Sequence, residues 1–295
     1  NCNIEKVFSF SKKSLPMKNF IPAGLLFICL PLVMLAQIKS PDKEQLDAFL
    51  KSKTYVVLED NPFSAFNAFV GDGFSGVWKI TPYEVITYEE FDKKMGDSRS
   101  SFLFVSQAQM GKNEMFDYSI INLTMGDASK NLNKMPELCI VPVSYAEVDE
   151  ESYEYRFPVL IKFIDYFISY SQKNQGKDIR QMVDDNAAEM KNYELWLVKN
   201  DLAPDVNTLE KIKKYYPYAV KIVTTDEIET AIKNGNPQVA ILHKVGPEET
   251  QSASSTVYKF IITVKEGKPL YFGDYKTGTG KPDALLEEDF KKMAK

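Results

Sequence analysis

Apolar positions fall in one order twice along the chain. In the first half, Asp42 to Lys51 has helical periodicity and Thr54 to Leu58 is a short unbroken apolar run, the mark of a buried strand. A helix from about Pro62 to Val77 follows, then a strand at Tyr83 to Thr87, a short helix at Tyr88 to Met95 and a strand at Phe102 to Val105. The second half reads helix Asp178 to Met190, strand Leu195 to Val198, helix Asp205 to Tyr215, strand Ala219 to Val223, helix Thr225 to Lys233 and strand Val239 to Leu242. Each half closes with two more strands, Tyr118 to Leu123 and Leu138 to Val143 in the first, Tyr258 to Val264 and Leu270 to Tyr275 in the second. Gly267-Lys268 predicts a hairpin between the last pair.

The halves also align residue by residue. Val85-Ile86-Thr87-Tyr88-Glu89-Glu90-Phe91 matches Ile222-Val223-Thr224-Thr225-Asp226-Glu227-Ile228, and the same ungapped register carries Phe102-Leu103-Phe104-Val105 onto Val239-Ala240-Ile241-Leu242. Thr87 with Glu90 and Thr224 with Glu227 each form a capping-box signature. The fold class expected is α/β, with α+β as the alternative: a tandem repeat of a small α-βαβαβ-ββ unit whose mixed sheets carry helices. Within each unit the first three strands should be parallel or mixed with right-handed crossovers, and the last pair antiparallel. The expected domains are a first repeat over 41–150, a helical linker over 151–191, a second repeat over 192–278 and a closing helix over 279–295. Phe157 to Ser171 is apolar at helical spacing and reads as an interdomain packing helix, Glu147 to Glu154 as an acidic surface link, and Asp283 to Met293 as an amphipathic helix.

The region before these elements changes the picture of where the protein works. Met17-Lys18-Asn19, the apolar run Phe20 to Leu35 and the Ala36-Gln37 junction read as a secretory signal peptide over 17–36, which predicts a periplasmic or secreted protein with no membrane span after cleavage. Residues 1–16 read as an over-extended gene start, and Ile28 before Cys29 argues against lipidation. Setting aside residues 1–36 leaves Cys139, in an apolar run, as the one cysteine and excludes an internal disulfide. It also leaves 32 basic and 40 acidic side chains, a net charge of about −8 that disfavours nucleic acid or an anionic lipid surface as partner. Hydrophobic content of 44% with 26% charged residues excludes disorder for the bulk of the chain.

Four stretches imitate known chemistry. Gly71-Asp72-Gly73-Phe74-Ser75-Gly76 has dinucleotide-site spacing but lies about twelve residues after its strand, so a loop or helix break is expected. Gly278-Thr279-Gly280-Lys281-Pro282 lacks the first glycine of a phosphate loop, and Pro282 stands where Ser or Thr would hold magnesium. Leu58-Glu59-Asp60-Asn61-Pro62 imitates the acidic cluster of a receiver domain, but the third strand ends Val105-Ser106-Gln107 without a phosphorylatable Asp. The expectation here is an acidic turn with Asp60 or Asn61 as helix N-cap. His243, the only histidine, supports neither a zinc site nor a Ser/His/Asp triad. No cofactor or metal is expected.

Val56-Val57-Leu58-Glu59-Asp60-Asn61-Pro62-Phe63, Met135-Pro136-Glu137-Leu138-Cys139 and the Ala36-Gln37 junction make the chain resemble a group of exported Bacteroidetes proteins with no established activity. The resemblance implies export and carries over no catalytic residue. The leading expectation is a non-enzymatic periplasmic protein that binds an envelope protein or a small ligand. A carboxylate-dependent hydrolase of envelope glycans or peptides is the alternative, as is a small-ligand carrier. Glu59, Asp60 and Asp201 are the candidate ligand-binding residues because they follow the first strand of each half, where ligands of open α/β sheets gather. Tyr215, Tyr216 and Tyr218, and a second aromatic cluster from Tyr153 to Phe157, are the candidate interaction surfaces.

Overall fold

The computed structural model describes residues 40–108, 118–145, 148–246, 256–277 and 281–295. The leader readings, including 17–36 and Cys29, and the glycines at 278 and 280 lie outside the described residues, as does residue 147 of the acidic link.

Helix α1 (Lys43–Leu50) leads into β1 (Lys53–Val57), followed by α2 (Ala65–Asp72), α3 (Phe74–Val77), β2 (Tyr83–Ile86), α4 (Tyr88–Lys94) and β3 (Ser100–Ala108). Strands β4 (Tyr118–Met125) and β5 (Glu137–Tyr145) complete the first sheet. The long helix α5 (Phe157–Lys173) then precedes α6 (Ile179–Asn186), β6 (Glu194–Val198), α7 (Leu209–Ile212), β7 (Val220–Val223), α8 (Thr225–Lys233) and β8 (Val239–Val245). The chain ends with β9 (Thr256–Thr263), β10 (Pro269–Lys276) and α9 (Glu287–Met293). The molecule is thus mixed α/β with two five-stranded mixed sheets. Among the described residues no helix is long and apolar enough to cross a membrane.

The sheets share one strand order, β2-β1-β3-β4-β5 and β7-β6-β8-β9-β10. In each, the first strand runs parallel to both neighbours and the last two strands are antiparallel. Local chemistry is shared as well. Capping boxes open α4 (Thr87, Glu90) and α8 (Thr224, Glu227), as the sequence predicts, and α1 (Asp42, Gln45) and α6 (Asp178, Gln181) share another.

The ungapped register does not carry across the sheet. Tyr55 joins Glu84 to Phe102, whereas Trp196 joins Lys221, the counterpart of Glu84, to Ile241 rather than Val239. The second sheet is therefore staggered by two residues, a shift that keeps every side chain on its own face because the strand period is two.

Several predicted helices are shorter than expected, two of them markedly. The segment expected as one helix from Pro62 to Val77 breaks at Gly73, which packs against the Phe69 ring, so the dinucleotide-like glycines are a helix break. The helix expected over Asp205 to Tyr215 is the single turn α7, capped by Thr208, and the backbone before it at Leu202 and Ala203 pairs with Leu285.

A single apolar core spans both sheets, and α5 lies in it. Pro158 in the first turn suits its start, since that position needs no amide donor. Its buried face brings Phe157 against Phe66 and Phe69 of α2 and sets Phe163 edge-on to Phe260 of β9. On its other side, the Lys162 ammonium donates to the Val264 carbonyl at 3.0 Å. The sheets also meet directly: the Tyr118 hydroxyl, 2.9 Å from that of Tyr145, donates to the Thr256 carbonyl at 2.9 Å. A smaller core under α9 fixes the C-terminus to the second sheet, and Cys139 is buried as expected.

Candidate functional site

A cavity of about 350 Å3 opens over the carboxyl ends of β1 and β3. The strand order makes this the point where connections diverge. The link from β1 to β2 runs through α2 and α3, which pack with α5, and the link from β2 to β3 runs through α4, which packs in a separate apolar cluster around Val57 and Phe102. Ligands of open α/β sheets collect at such crevices.

The turn after β1 forms the floor, and a single side chain shapes it. Asn67 of α2 accepts from the Glu59 amide at 2.9 Å and donates to the carbonyls of Glu59 and Asn61 at 2.9 and 2.8 Å. Ser64 caps α2, in place of the expected Asp60 or Asn61, because Asn61 instead accepts from the Phe63 amide within the turn. The result turns Glu59 inward and leaves Asp60 exposed. Ser106 and Gln107 at the end of β3 and Ser119 at the start of β4 complete the polar lining.

Glu150 enters from the segment read as a surface link. Its Oε2 accepts from the Ala65 amide at 2.5 Å, a placement favoured by the partial positive charge at a helix start. Burial raises the Glu59 pKa above the usual carboxylate value, and the nearby Glu150 charge raises it further, while a hydrogen bond from Ser64 opposes them. Burial likewise pushes the Tyr153 phenol up to about 12, helped by the charges of Glu150 and Glu59, so at neutral pH it is a donor. Neither Glu59 nor Glu150 has an ion-pair partner among the described residues, and no described residue lining the cavity is cationic.

Two aromatic walls flank these carboxylates. Tyr88, Phe91 and Phe104 form one, with Phe91 centred 5.9 Å from Tyr88 and 5.4 Å from Phe104. Phe66, Phe157 and Tyr153 form the other, at 5.6 and 6.1 Å. Beyond the turn lies a more open depression bordered by Pro62, Val85 and Tyr88. Next to Pro62, Phe63 is 91% exposed.

The corresponding edge of the second sheet is closed. Asp201 follows β6 as Asp60 follows β1, but its carboxylate lies 4.0 Å from Arg156 and 3.7 Å from Lys244, whose ammonium also meets Asp283 at 2.8 Å. The backbone of Leu285 seals the turn by donating to the Asp201 carbonyl at 2.8 Å and accepting from Ala203 at 3.0 Å. Of the three candidate carboxylates, Glu59 and Asp60 therefore share one place, and Asp201 stands apart in an ion cluster.

The tyrosine cluster after α7 is not an open surface. Tyr216 is buried against Phe290 and Tyr218, and the Lys291 ammonium covers the Tyr215 ring at 4.9 Å, because α9 docks over the segment. The second cluster fares differently, since Tyr153 and Phe157 line the cavity. His243 is buried between the sheets, away from the cavity. Among the described residues no group of acidic, histidine or cysteine side chains could hold a metal ion. Set against known proteins, the chain matches no family model and, at a significant level, no curated protein and no solved structure.

Proposed function

We propose that this is a binding protein of the cell envelope that holds a small organic ligand over the carboxyl ends of β1 and β3. The observation that carries the reading is the cavity itself, in the size range of small-molecule sites, with converging polar groups between two aromatic walls. Asn67 holds its floor in place before any ligand arrives, which lowers the ordering cost of binding. The leader pattern over 17–36 supports the envelope as the place of work. The shared strand order and shared capping boxes support descent of both sheets from one doubled segment, with the ligand site kept in the first copy and sealed in the second.

The test is a thermal-shift screen of envelope sugars, peptides and small metabolites against the wild type and Ser106→Trp, which fills the cavity from the end of β3. Compounds that raise Tm in the wild type should lose that effect in the variant. Shifts that persist unchanged in Ser106→Trp would place the ligand elsewhere.

One observation favours a second reading, hydrolysis. A half-buried Glu59 with a raised pKa beside the Glu150 carboxylate is the pairing that general acid/base chemistry uses. In this reading Glu59→Gln abolishes turnover of envelope glycans or peptides. A binding protein shows no turnover to lose.

A further inference from the structure

We infer that the cavity over β1 and β3 selects a small organic ammonium ion, held between its two aromatic walls and neutralised by Glu59 and Glu150; this rests on reading the cavity as a ligand site. The first argument is charge. The described lining brings two carboxylates inward, with Asp60 at the rim, and no cation to offset them. An anionic ligand would add a third charge of the same sign in a place shielded from water. A neutral ligand could donate a hydrogen bond to Glu59 but would leave its charge, and that of Glu150, without a counter-charge. A cation supplies the missing partner.

The second argument is the rings. Six aromatic side chains line the cavity with the acids in two clusters of tilted and edge-on rings, Tyr88-Phe91-Phe104 and Phe66-Phe157-Tyr153, borne on opposite faces of the sheet. The face of an aromatic ring carries negative potential, and it attracts an alkylammonium, whose charge is spread over its carbon substituents, without the full desolvation cost of a bare ion. Rings and carboxylates in one small cavity thus favour a cation with an apolar surface over a metal ion, which would need oxygen ligands on most sides. A volume of about 350 Å3 also suits a compact molecule.

The test uses four small probes. Choline and n-butylammonium carry the cation. The alcohol 3,3-dimethylbutan-1-ol reproduces choline with carbon in place of nitrogen, and 3,3-dimethylbutanoate gives a similar body a negative charge. Calorimetric titration should find choline or n-butylammonium binding at least tenfold more tightly than the neutral alcohol, with the carboxylate weakest. Glu59→Gln, which keeps the side-chain shape, should weaken cation binding about tenfold and leave the alcohol unchanged. If the alcohol matches both cations and Ser106→Trp abolishes all binding, the ammonium assignment is wrong while the cavity remains the site. If Ser106→Trp and Glu59→Gln alter the binding of no probe, both the assignment and the reading beneath it fall.

Discussion

The Nε2 of His243 donates to the Pro142 carbonyl across 2.8 Å and so ties β8 to β5, one strand from each sheet. The bond fixes the proton on Nε2 and leaves Nδ1 buried without a partner. Burial, with the Arg156 charge adding to it, lowers the His243 pKa to about 3. Below about pH 6.5 the unfolded chain binds a proton that the folded chain refuses, so this residue removes stability as the pH falls, by about 1.4 kcal/mol per unit. Between pH 7 and 5 the wild type should lose about 2 kcal/mol more than His243→Gln in urea unfolding. Parallel losses in the two proteins would refute this.

Glu59 acts with the opposite sign. Its folded pKa is raised, so its contribution is present at low pH and is lost as the pH rises through the folded value. Glu59→Gln should therefore raise Tm at pH 7, by about 2 °C or more, and have little effect at pH 4. A variant that melts lower than wild type at pH 7 would show that the carboxylate is satisfied where it stands. The gain at the expense of ligand affinity is the usual trade at a binding site.

Lys259 and Asp289 form an ion pair that is almost wholly buried, at 1% and 2% exposure, and Tyr271 donates to the same carboxylate at 2.5 Å. Asp289 also accepts from the Leu286 amide at 2.7 Å, so one carboxylate anchors α9 to β9 and β10. Lys259→Met should cost about 3–5 kcal/mol, because it strands a buried charge, whereas Lys259→Met with Asp289→Leu should recover part of the loss. Urea denaturation of the single and double variants measures the difference. A double variant that costs the sum of Lys259→Met and Asp289→Leu measured singly would mean that the pair is not coupled.

Gly267 turns the β9–β10 hairpin with φ of +69°, and a Cβ there would stand 2.2 Å from the Lys162 backbone in α5. Gly235 has a similar φ of +59° and open space around it. Gly235→Ala should cost about 1 kcal/mol for conformation alone, and Gly267→Ala clearly more, since the hairpin must also withdraw from the helix. Chemical denaturation of both variants isolates the second effect. A Gly267→Ala cost no greater than that at Gly235 would mean the turn yields freely.

The elements whose cause is local were legible in the sequence. Thr87 with Glu90 and Thr224 with Glu227 carry their own capping chemistry three residues apart, and the strands announced themselves by short apolar runs. What distance decides was not legible. Glu150 reaches the amide of Ala65, 85 residues away, so a segment that reads as solvated link becomes a wall of the cavity. Tyr216 has the composition of a recognition surface but is covered by α9 from the far end of the chain. The two-residue stagger between the sheets keeps the side-chain pattern and so leaves no trace in it. The sequence does carry a signal for the site in Glu59, Asp60, Tyr153 and Phe157, but the two clusters lie far apart along the chain and only the fold joins them.

In the second sheet, Leu285 and the ion cluster around Asp201 occupy the place that the cavity holds in the first. With the proposed ligand site in the first sheet alone, one chain should take up one ligand molecule. Saturation should then follow a simple hyperbola, and any sigmoid response would have to come from contact between separate molecules rather than from conversation between the two halves of one.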